Sequence, residues 1–184
     1  METAVTNGIL IQQRIGNTPF FNRSWEEFKV GFGNESGNYW MGNERLHQLT
    51  KDGQYKLRVD VLSKFKGQWY WAEYDRFSVG IELAGYKIYV GDYRGDAGDA
   101  MTVDGVASHN MDGVKFQTYD HGNHVTCASV SSGYAGGFWY PVDRYCGYAR
   151  LNRNRYFHWY SLPIGTRSHE HVALLKSRMT LLRK

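Results

Sequence analysis

Residues 116–146 read FQTYDHGNHVTCASVSSGYAGGFWYPVDRYC. The stretch holds both cysteines of the chain, Cys127 and Cys146, and between them a glycine pair followed by three consecutive aromatic residues. Glycine lets a backbone pass close to its neighbours, and Tyr and Trp rings combine a large apolar face with a polar edge. The stretch is therefore typical of a clamped loop that displays a binding surface.

The length and composition of the chain favour a globular protein. At 184 residues it suits one domain, which can bury a core without a metal or many disulfides, and we expect a single domain over residues 1–184. With 14 Tyr and 6 Trp, the chain carries enough rings for a binding surface as well as a core. No apolar run reaches the roughly 18–20 residues of a membrane span, so we expect no membrane insertion.

Charge is distributed unevenly along the chain. The first 143 residues carry 13 Lys and Arg against 17 Asp and Glu, a net charge of −4, whereas residues 144–184 carry 9 against 1, a net charge of +8. The basic part includes four closely spaced arginines: Arg144, Arg150, Arg153 and Arg155. They could attract a heparin-like polyanion or phosphates, or they could form a solvated face. Nucleic acid is disfavoured as a partner because neither zinc-ligand spacing nor a recognition helix accompanies the charge.

The pattern of apolar and polar residues predicts an α+β fold. Two segments look like short helices: residues 25–32, with Asn22 or Ser24 as the N-cap, and residues 42–49. Three segments have strand patterns: residues 55–62, 68–77 and 86–93. Residues 91–112 are expected to be mostly turns. Mixed short helices and antiparallel strands with a long loop-rich region indicate this fold class.

Distinctive motifs follow one another along the chain: FNRSWEEFKVGFGNESGNYWMGNERLHQLT at 21–50, YKLRVDV at 55–61, YKIYVGDYRGDAGDAM at 86–101, DGVKFQTYD at 112–120, CA with GGFWY at 127–140, C-x4-LN at 146–152, WYSL at 159–162 and LLKSRMTLL at 174–182. In this order they resemble the fibrinogen-related domain, the C-terminal globular module of fibrinogen chains, ficolins, angiopoietins and tenascins. The resemblance implies a central twisted, mainly antiparallel sheet, short flanking helices and a loop-rich C-terminal binding subdomain. Met1-Glu2-Thr3 resembles the sequence that follows the family's N-terminal disulfide subdomain, which implies that this subdomain is absent here. Whether Met1 is the true start stays open.

The resemblance also implies a function. The family consists mostly of extracellular, non-enzymatic binding modules that oligomerise through an N-terminal stalk, a region absent here. We therefore expect a secreted lectin-like module of innate defence that recognises acetylated or acidic glycans. The alternative is a protein ligand or matrix module that binds a cell-surface receptor. Catalysis is not expected, because no motif places Ser129, Asp120 and His121 or His124 in catalytic register.

The resemblance pairs Cys127 with Cys146. Two free thiols or metal ligands are the alternative, but neither a C-x-x-C motif nor a nearby His pair at zinc spacing supports a metal. In an oxidising compartment the disulfide would stabilise the fold by roughly 3 kcal/mol, mainly by restricting the unfolded chain.

The family's calcium loop lies between TYD and the CA dipeptide. Here that loop, residues 120–126, is shortened. Of the usual acidic run of calcium ligands, only Asp120 and Asn123 remain as candidates. Calcium takes six to eight oxygen ligands, so we predict no calcium site and no cofactor. His121 and His124 could titrate near neutral pH or bind a softer metal; the alternative is that they are exposed loop residues without such a role.

Lectin members of the family hold acetyl groups beside the second cysteine, between a cis peptide before it, a histidine after it and tyrosines from two loops. The resemblance assigns these places to Tyr134 for one wall, Tyr145 and Cys146 for the peptide, and Gly147 for the histidine position. The loop that carries the family's other pocket tyrosine is cut short here, and Tyr156 could replace that residue. Arg153 or Arg155 could meet an acidic group of the ligand. Because Gly147 has no imidazole, this pocket is only partly kept. Four further aromatic residues are expected in the core: Phe138, Trp139, Phe157 and Trp159.

Three smaller motifs remain. Asp92, Asp96 and Asp99 look like a calcium loop, but the resemblance makes the segment structural, with Asp99 capping backbone amides. Arg94-Gly95-Asp96 is an integrin-type triplet in a predicted turn, or a coincidence. Two sequons, at Asn22 and Asn34, could accept glycans in a secreted protein.

Overall fold

A computed structural model of the chain describes residues 8–16, 20–103, 108–122, 125–129, 136–141, 146–165 and 168–184. Several residues singled out above lie outside these ranges: Met1, Glu2, Thr3, Asn123, His124, Tyr134, Arg144 and Tyr145. Among the described residues, no helix has the length and apolar composition needed to cross a bilayer.

The described helices are short: α1 at Trp25–Val30, α2 at Asn43–Thr50, α3 at Val125–Ala128, and a 3₁₀ turn at Glu82–Ala84. Ser24 rather than Asn22 is the N-cap of α1. Its hydroxyl accepts a hydrogen bond from the Glu27 amide, and the Glu27 carboxylate accepts one from the Ser24 amide, so the two form a capping box. The helix ends two residues before the predicted end, because Phe32 already belongs to a strand.

Most strands form one seven-stranded sheet with the order β2-β3-β1-β9-β4-β5-β6. Their bounds are β1 Ile9–Arg14, β2 Phe32–Gly33, β3 Tyr39–Trp40, β4 Tyr55–Ser63, β5 Trp69–Val79, β6 Ile88–Gly95 and β9 Leu174–Arg183. All these pairings are antiparallel. The last strand of the chain, β9, lies in the middle of the sheet between β1 and β4. The predicted α+β class with a mainly antiparallel sheet is confirmed.

A small second hairpin carries the C-terminal loops. β7, Ala149–Arg150, pairs with β8, His158–Trp159, in a two-stranded sheet. The Trp159 indole donates to the Gly98 carbonyl over 2.9 Å, and the Leu174 amide donates to the Phe157 carbonyl over 3.0 Å. These bonds fix the hairpin against both the 98–102 turn and the start of β9.

Aromatic rings fill the core beneath α1. The rings of Phe28, Trp40, Phe116 and Trp139 have centroids 5.1–5.8 Å apart along the cluster, and all four are almost fully buried. Phe138, Trp139 and Trp159 lie in the core as predicted, whereas Phe157 is half-buried and packs beneath the Arg14 guanidinium, 4.1 Å from the ring centroid. Hence most of the rings in the opening stretch form the core, not a ligand surface.

Candidate functional site

The disulfide predicted for the opening stretch is present. Cys127 in α3 is bonded to Cys146, and their Cα atoms are 5.5 Å apart. Both side chains are buried, and Cys146 adopts a left-handed conformation with φ of 60°. A non-glycine residue with positive φ is uncommon, and such residues cluster where surrounding structure holds a functional segment. The chain leaves Cys146 towards the β7–β8 hairpin.

Rings from the β7–β8 hairpin, from the loop after it and from the segment 108–112 contact one another in a row, which we call the aromatic band. Its members are His109, Tyr148, Tyr156, His158, Tyr160 and His169. Neighbouring rings along the band have centroids 4.2–5.8 Å apart. The Tyr160 hydroxyl and His169 Nδ1 share a hydrogen bond of 2.7 Å. Tyr148 of the band lies two residues after Cys146 in the chain, and the exposed rings of the band are those of Tyr156 and His169, whereas His158 is buried.

Arg150 holds the middle of the band in place. Its Nε donates to the Gly147 carbonyl over 2.9 Å, and its guanidinium lies 4.7 Å from the centroid of the Tyr160 ring. Only 8% of its surface is exposed. A planar guanidinium stacked on a ring and bonded to the backbone is rigid. Arg150 thus connects the segment after Cys146 to the ring of Tyr160.

The structure places the predicted ligand residues unequally. Tyr156 is 40% exposed with a left-handed φ of 56°, and Arg155 beside it is exposed. Arg153 is only 2% exposed, and its carbonyl accepts a hydrogen bond from Arg14, so we leave it out of the ligand contacts that we propose. Tyr134 and Tyr145 lie outside the described residues.

The four closely spaced arginines do not together form an exposed basic cluster. Arg150 and Arg153 are both buried, and Arg144 lies outside the described residues. Arg155 alone of the four is described as exposed. A polyanion surface built on Arg150 and Arg153 is therefore not available.

Sequence reasoning did not single out Tyr148, Tyr160 and His169. Their grouping depends on the β7–β8 hairpin, in which Tyr160 donates its amide to the Tyr148 carbonyl over 3.1 Å. The two strands have only two residues each, so they give no alternating pattern to read. The density of Tyr and His between residues 148 and 171 was the available signal.

Gly147 has no room for the family's histidine. Its φ is 72°, a conformation that side chains rarely adopt, and a Cβ atom built there would lie 2.9 Å from Pro141 Cδ. Both the backbone and the neighbouring ring thus favour glycine. Glycine at this position therefore fits the local structure, and a histidine would not.

Asp120, the remnant of the calcium loop, has a structural contact. Its Oδ1 accepts hydrogen bonds from the Trp25 amide over 2.9 Å and from the Thr118 hydroxyl over 2.7 Å. The carboxylate therefore ties the loop to the first residue of α1. In the described part of the chain, no three or more His, Cys, Asp or Glu side chains are grouped to hold a metal ion.

The RGD triplet is not in a turn, contrary to the expectation from sequence. Arg94 and Gly95 belong to β6 and pair with Glu73 and Ala72 of β5. The Arg94 guanidinium forms an ion pair with Glu73, and the Asp96 carboxylate accepts a hydrogen bond of 2.7 Å from the Trp71 amide. Strand pairing and these contacts constrain the triplet.

The predicted cap at Asp99 is confirmed. Its Oδ1 accepts hydrogen bonds from the amides of Met101 and Thr102, over 3.1 and 2.9 Å, and from the Tyr74 hydroxyl over 2.9 Å. The pKa of Tyr74 is raised well above its ordinary value by burial and by the nearby Asp99 carboxylate. The acidic segment is therefore a closed turn tied to the sheet.

The two sequons differ in accessibility. Asn34 is exposed between β2 and β3, and its Oδ1 accepts a hydrogen bond of 3.1 Å from the Ser36 amide. The Asn22 Oδ1 atom is enclosed, and Ser24 of the same sequon caps α1. Both remain predictions, and the geometry favours Asn34.

The chain was compared with protein-family models, curated proteins and solved structures. The family model for the C-terminal globular domain of fibrinogen beta and gamma chains matches residues 1–165. Fibrinogen-like protein A of Apostichopus parvimensis is 38% identical over 159 residues, which are 85% of this chain and 52% of that protein. Fibroleukin of Bos taurus is 35% identical over 160 residues, 86% of this chain and 34% of that protein. The chain thus spans about half or less of these relatives.

A solved structure, the fibrinogen-like globe domain of human ANGPTL2, has the same fold. It superposes with a TM-score of 0.74 at 32% identity, and the match covers 95% of this chain and 79% of that chain. The family resemblance predicted from the motifs is confirmed.

Replacing Gly147 by His should destabilise the protein by about 1–3 kcal/mol, because the new side chain meets both a strained backbone and Pro141. Gly165→His is the matched control, since Gly165 also has positive φ but nothing within 4 Å of a built Cβ. Urea unfolding should give the larger loss of free energy for Gly147→His. Equal losses would show that the Pro141 contact is unimportant.

Calcium should not change the thermal midpoint of unfolding. A site saturated at a hundred times its Kd would stabilise the fold by about 2.7 kcal/mol, which for a chain of this size corresponds to a rise of several degrees. We expect the same midpoint in millimolar calcium and in excess EDTA. A lower midpoint in EDTA would contradict the prediction from residues 120–126.

Acid should destabilise the fold through His158. Burial, and after it the charges of His169, Arg150 and Arg153, lower the pKa of His158 from 6.5 to about 3. The unfolded chain therefore binds a proton below pH 6.5 that the folded chain does not, and stability falls as the pH drops from about 6.5 towards about 3. His158→Phe should flatten the pH dependence of the unfolding free energy, by up to about 1.4 kcal/mol per pH unit. An unchanged slope in His158→Phe would contradict the assignment.

Proposed function

Because the chain belongs to the family of fibrinogen C-terminal globular domains, a family of binding modules, we propose that it is an extracellular, non-enzymatic module whose aromatic band recognises an acetylated or acidic glycan. A role in innate defence is part of the same proposal. The observation that carries it is the row of contacting Tyr and His rings in the aromatic band.

The band has the chemistry of a sugar-binding surface. Ring faces accept the apolar faces of sugars or an acetyl methyl group, and the hydroxyls at their edges form hydrogen bonds. Tyr156 is the most accessible tyrosine of the band, because it is 40% exposed whereas Tyr148 and Tyr160 are half-buried. The exposed Arg155 lies next to it in sequence. A guanidinium forms paired hydrogen bonds with a carboxylate. These two side chains are therefore the ligand contacts that we propose, and neither needs a calcium ion.

An extracellular setting fits two features of the chain. The Cys127–Cys146 disulfide is of a kind that persists in oxidising compartments. The exposed sequon at Asn34 can be glycosylated only on the secretory route. Both support secretion as part of the proposal.

A second candidate function is a protein ligand or matrix module that binds a cell-surface receptor. It is favoured by two apolar side chains at the 3₁₀ turn, Leu83, which is 97% exposed, and Ile81, which is 50% exposed. Exposed apolar side chains of this kind can contribute to a protein-binding surface. The constrained RGD triplet does not contribute to this candidate.

A glycan array with and without EDTA separates the two functions. We expect binding to a subset of N-acetylated or acidic glycans in both conditions. Tyr156→Ala should weaken this binding by about 0.5–1.5 kcal/mol, up to roughly tenfold in Kd, because a stacking face is lost. Tyr119→Ala is the matched control, since Tyr119 is 41% exposed, against 40% for Tyr156, and lies outside the band.

Three results of the array would count against the proposal. Equal losses in the two variants would remove the band from the proposal. Binding that EDTA abolishes would require a calcium site that the sequence does not predict. A blank array would favour the receptor-binding candidate.

A further inference from the structure

A second concave surface lies on another part of the molecule. It is a cleft of about 830 Å³ lined by residues of the 3₁₀ turn at Glu82–Ala84 and of the segment 112–117, together with Trp25, His121 and Gly122. This volume falls in the range of about 300–1,000 Å³ that is usual for small-molecule sites. No described residue of the aromatic band lines the cleft, so the two surfaces are separate.

One end of the cleft is a rigid pair of stacked rings. The His121 imidazole lies on the Trp25 indole, with centroids 3.8 Å apart and planes at 26°. Hydrogen bonds hold Trp25 at two points, from its amide to Asp120 over 2.9 Å and from its Nε1 to Glu82 over 3.0 Å. His121 itself is exposed and lines the cleft, so part of its ring is accessible to a ligand. The stack is thus preorganised before anything binds.

The acidic side chains of the cleft are already neutralised. The Lys29 ammonium forms an ion pair of 2.8 Å with the Glu82 carboxylate. This contact is the main reason that the pKa of Glu82 lies below its ordinary value. Arg76 donates two hydrogen bonds to the Asp112 carboxylate, over 3.0 and 3.2 Å, and the Val90 amide donates a third. Neither carboxylate therefore needs a ligand to balance its charge.

The basic side chains of the cleft have no such partners. Within the described part of the chain, the ammonium groups of Lys87 and Lys115 form neither an ion pair nor a hydrogen bond. They approach from different segments, the residues after the 3₁₀ turn and the segment 112–117. The Lys115 stem packs on Gly85, where a Cβ atom would lie 3.0 Å from Lys115 Cδ. The unbalanced charge of the cleft is therefore positive.

From this arrangement we infer that the cleft binds a small carboxylate-bearing saccharide. Lys87 and Lys115 hold the carboxylate, and the sugar ring lies against the His121–Trp25 stack. A compact cleft with one ring platform and two free ammonium groups fits a single acidic sugar better than a long polymer. The site does not depend on the aromatic band and would exist if the band bound nothing.

Titration calorimetry on the full chain tests the site with three probes: glucuronic acid, neutral glucose and acetate. We expect heat of binding for glucuronic acid that weakens as salt is raised, no binding of glucose, and weaker binding of acetate, which has the charge but not the ring. Binding of glucose as tight as that of glucuronic acid would overturn the charge assignment. Acetate binding as tight would overturn the ring contact, and no heat with glucuronic acid would overturn the site.

Matched variants locate the binding. Lys87→Gln combined with Lys115→Gln should weaken glucuronic acid binding about tenfold or more, because two charge-assisted contacts are lost. Lys64→Gln combined with Lys176→Gln removes the same charge from exposed residues outside the cleft and should leave binding unchanged. Equal effects of the two pairs would reduce the binding to net charge. Tyr156→Ala should not affect it, so failure of this site and failure of the aromatic band are distinguishable. Unchanged unfolding midpoints show that the variants fold.

Discussion

A buried hydrogen-bond network joins the sheet to the segments around the β7–β8 hairpin. The Gln12 amide in β1 donates to the Asn152 Oδ1 and to the Ser177 hydroxyl in β9, each over 3.0 Å, and the Asn152 amide donates to the Gly137 carbonyl over 2.9 Å. Gln12, Asn152 and Ser177 are at most 1% exposed. A buried polar group without a partner costs about 1–3 kcal/mol, so the loss of one of these partners should destabilise the fold. The hairpin that carries the aromatic band is positioned through Asn152.

The same network explains the glycine pair of the opening stretch. A Cβ atom at Gly136 would lie 1.9 Å from the Asn152 carbonyl oxygen, and one at Gly137 would lie 2.6 Å from the Phe28 ring. Glycine is required there because the backbone passes directly over both groups. The pair thus serves packing, and the three aromatic residues after it are buried. Among the described residues, the exposed tyrosine of the aromatic band, Tyr156, lies in the β7–β8 hairpin, after the second cysteine.

Local signals in the sequence were sufficient where neighbouring residues decide the structure. The alternation of β4 and the short helix α1 are of this kind, and both are present, although the sequence left Asn22 and Ser24 open as the cap and the structure has Ser24. β9 was not predicted as a strand, because its buried and exposed residues do not alternate regularly and its pairing with β4 shifts register at Ser63. The burial of Arg153 was also out of reach of sequence reasoning. The Arg153 carbonyl pairs with Arg14, 139 residues away in the chain, a contact that local sequence does not reveal, and arginine is mostly a surface residue.

In the shortened loop after Tyr119, the Asp120 side chain has a structural role. Asp120 stands beside the positions that carry calcium ligands in the resembling family, yet its Oδ1 receives two hydrogen bonds from within the chain. One of these bonds fixes the amide of Trp25, and the Trp25 indole supports His121. A carboxylate bonded in this way anchors the loop without an ion. It follows that the loop's stability and the geometry of the cleft beside the 3₁₀ turn depend on the same aspartate, because both rest on the position of Trp25.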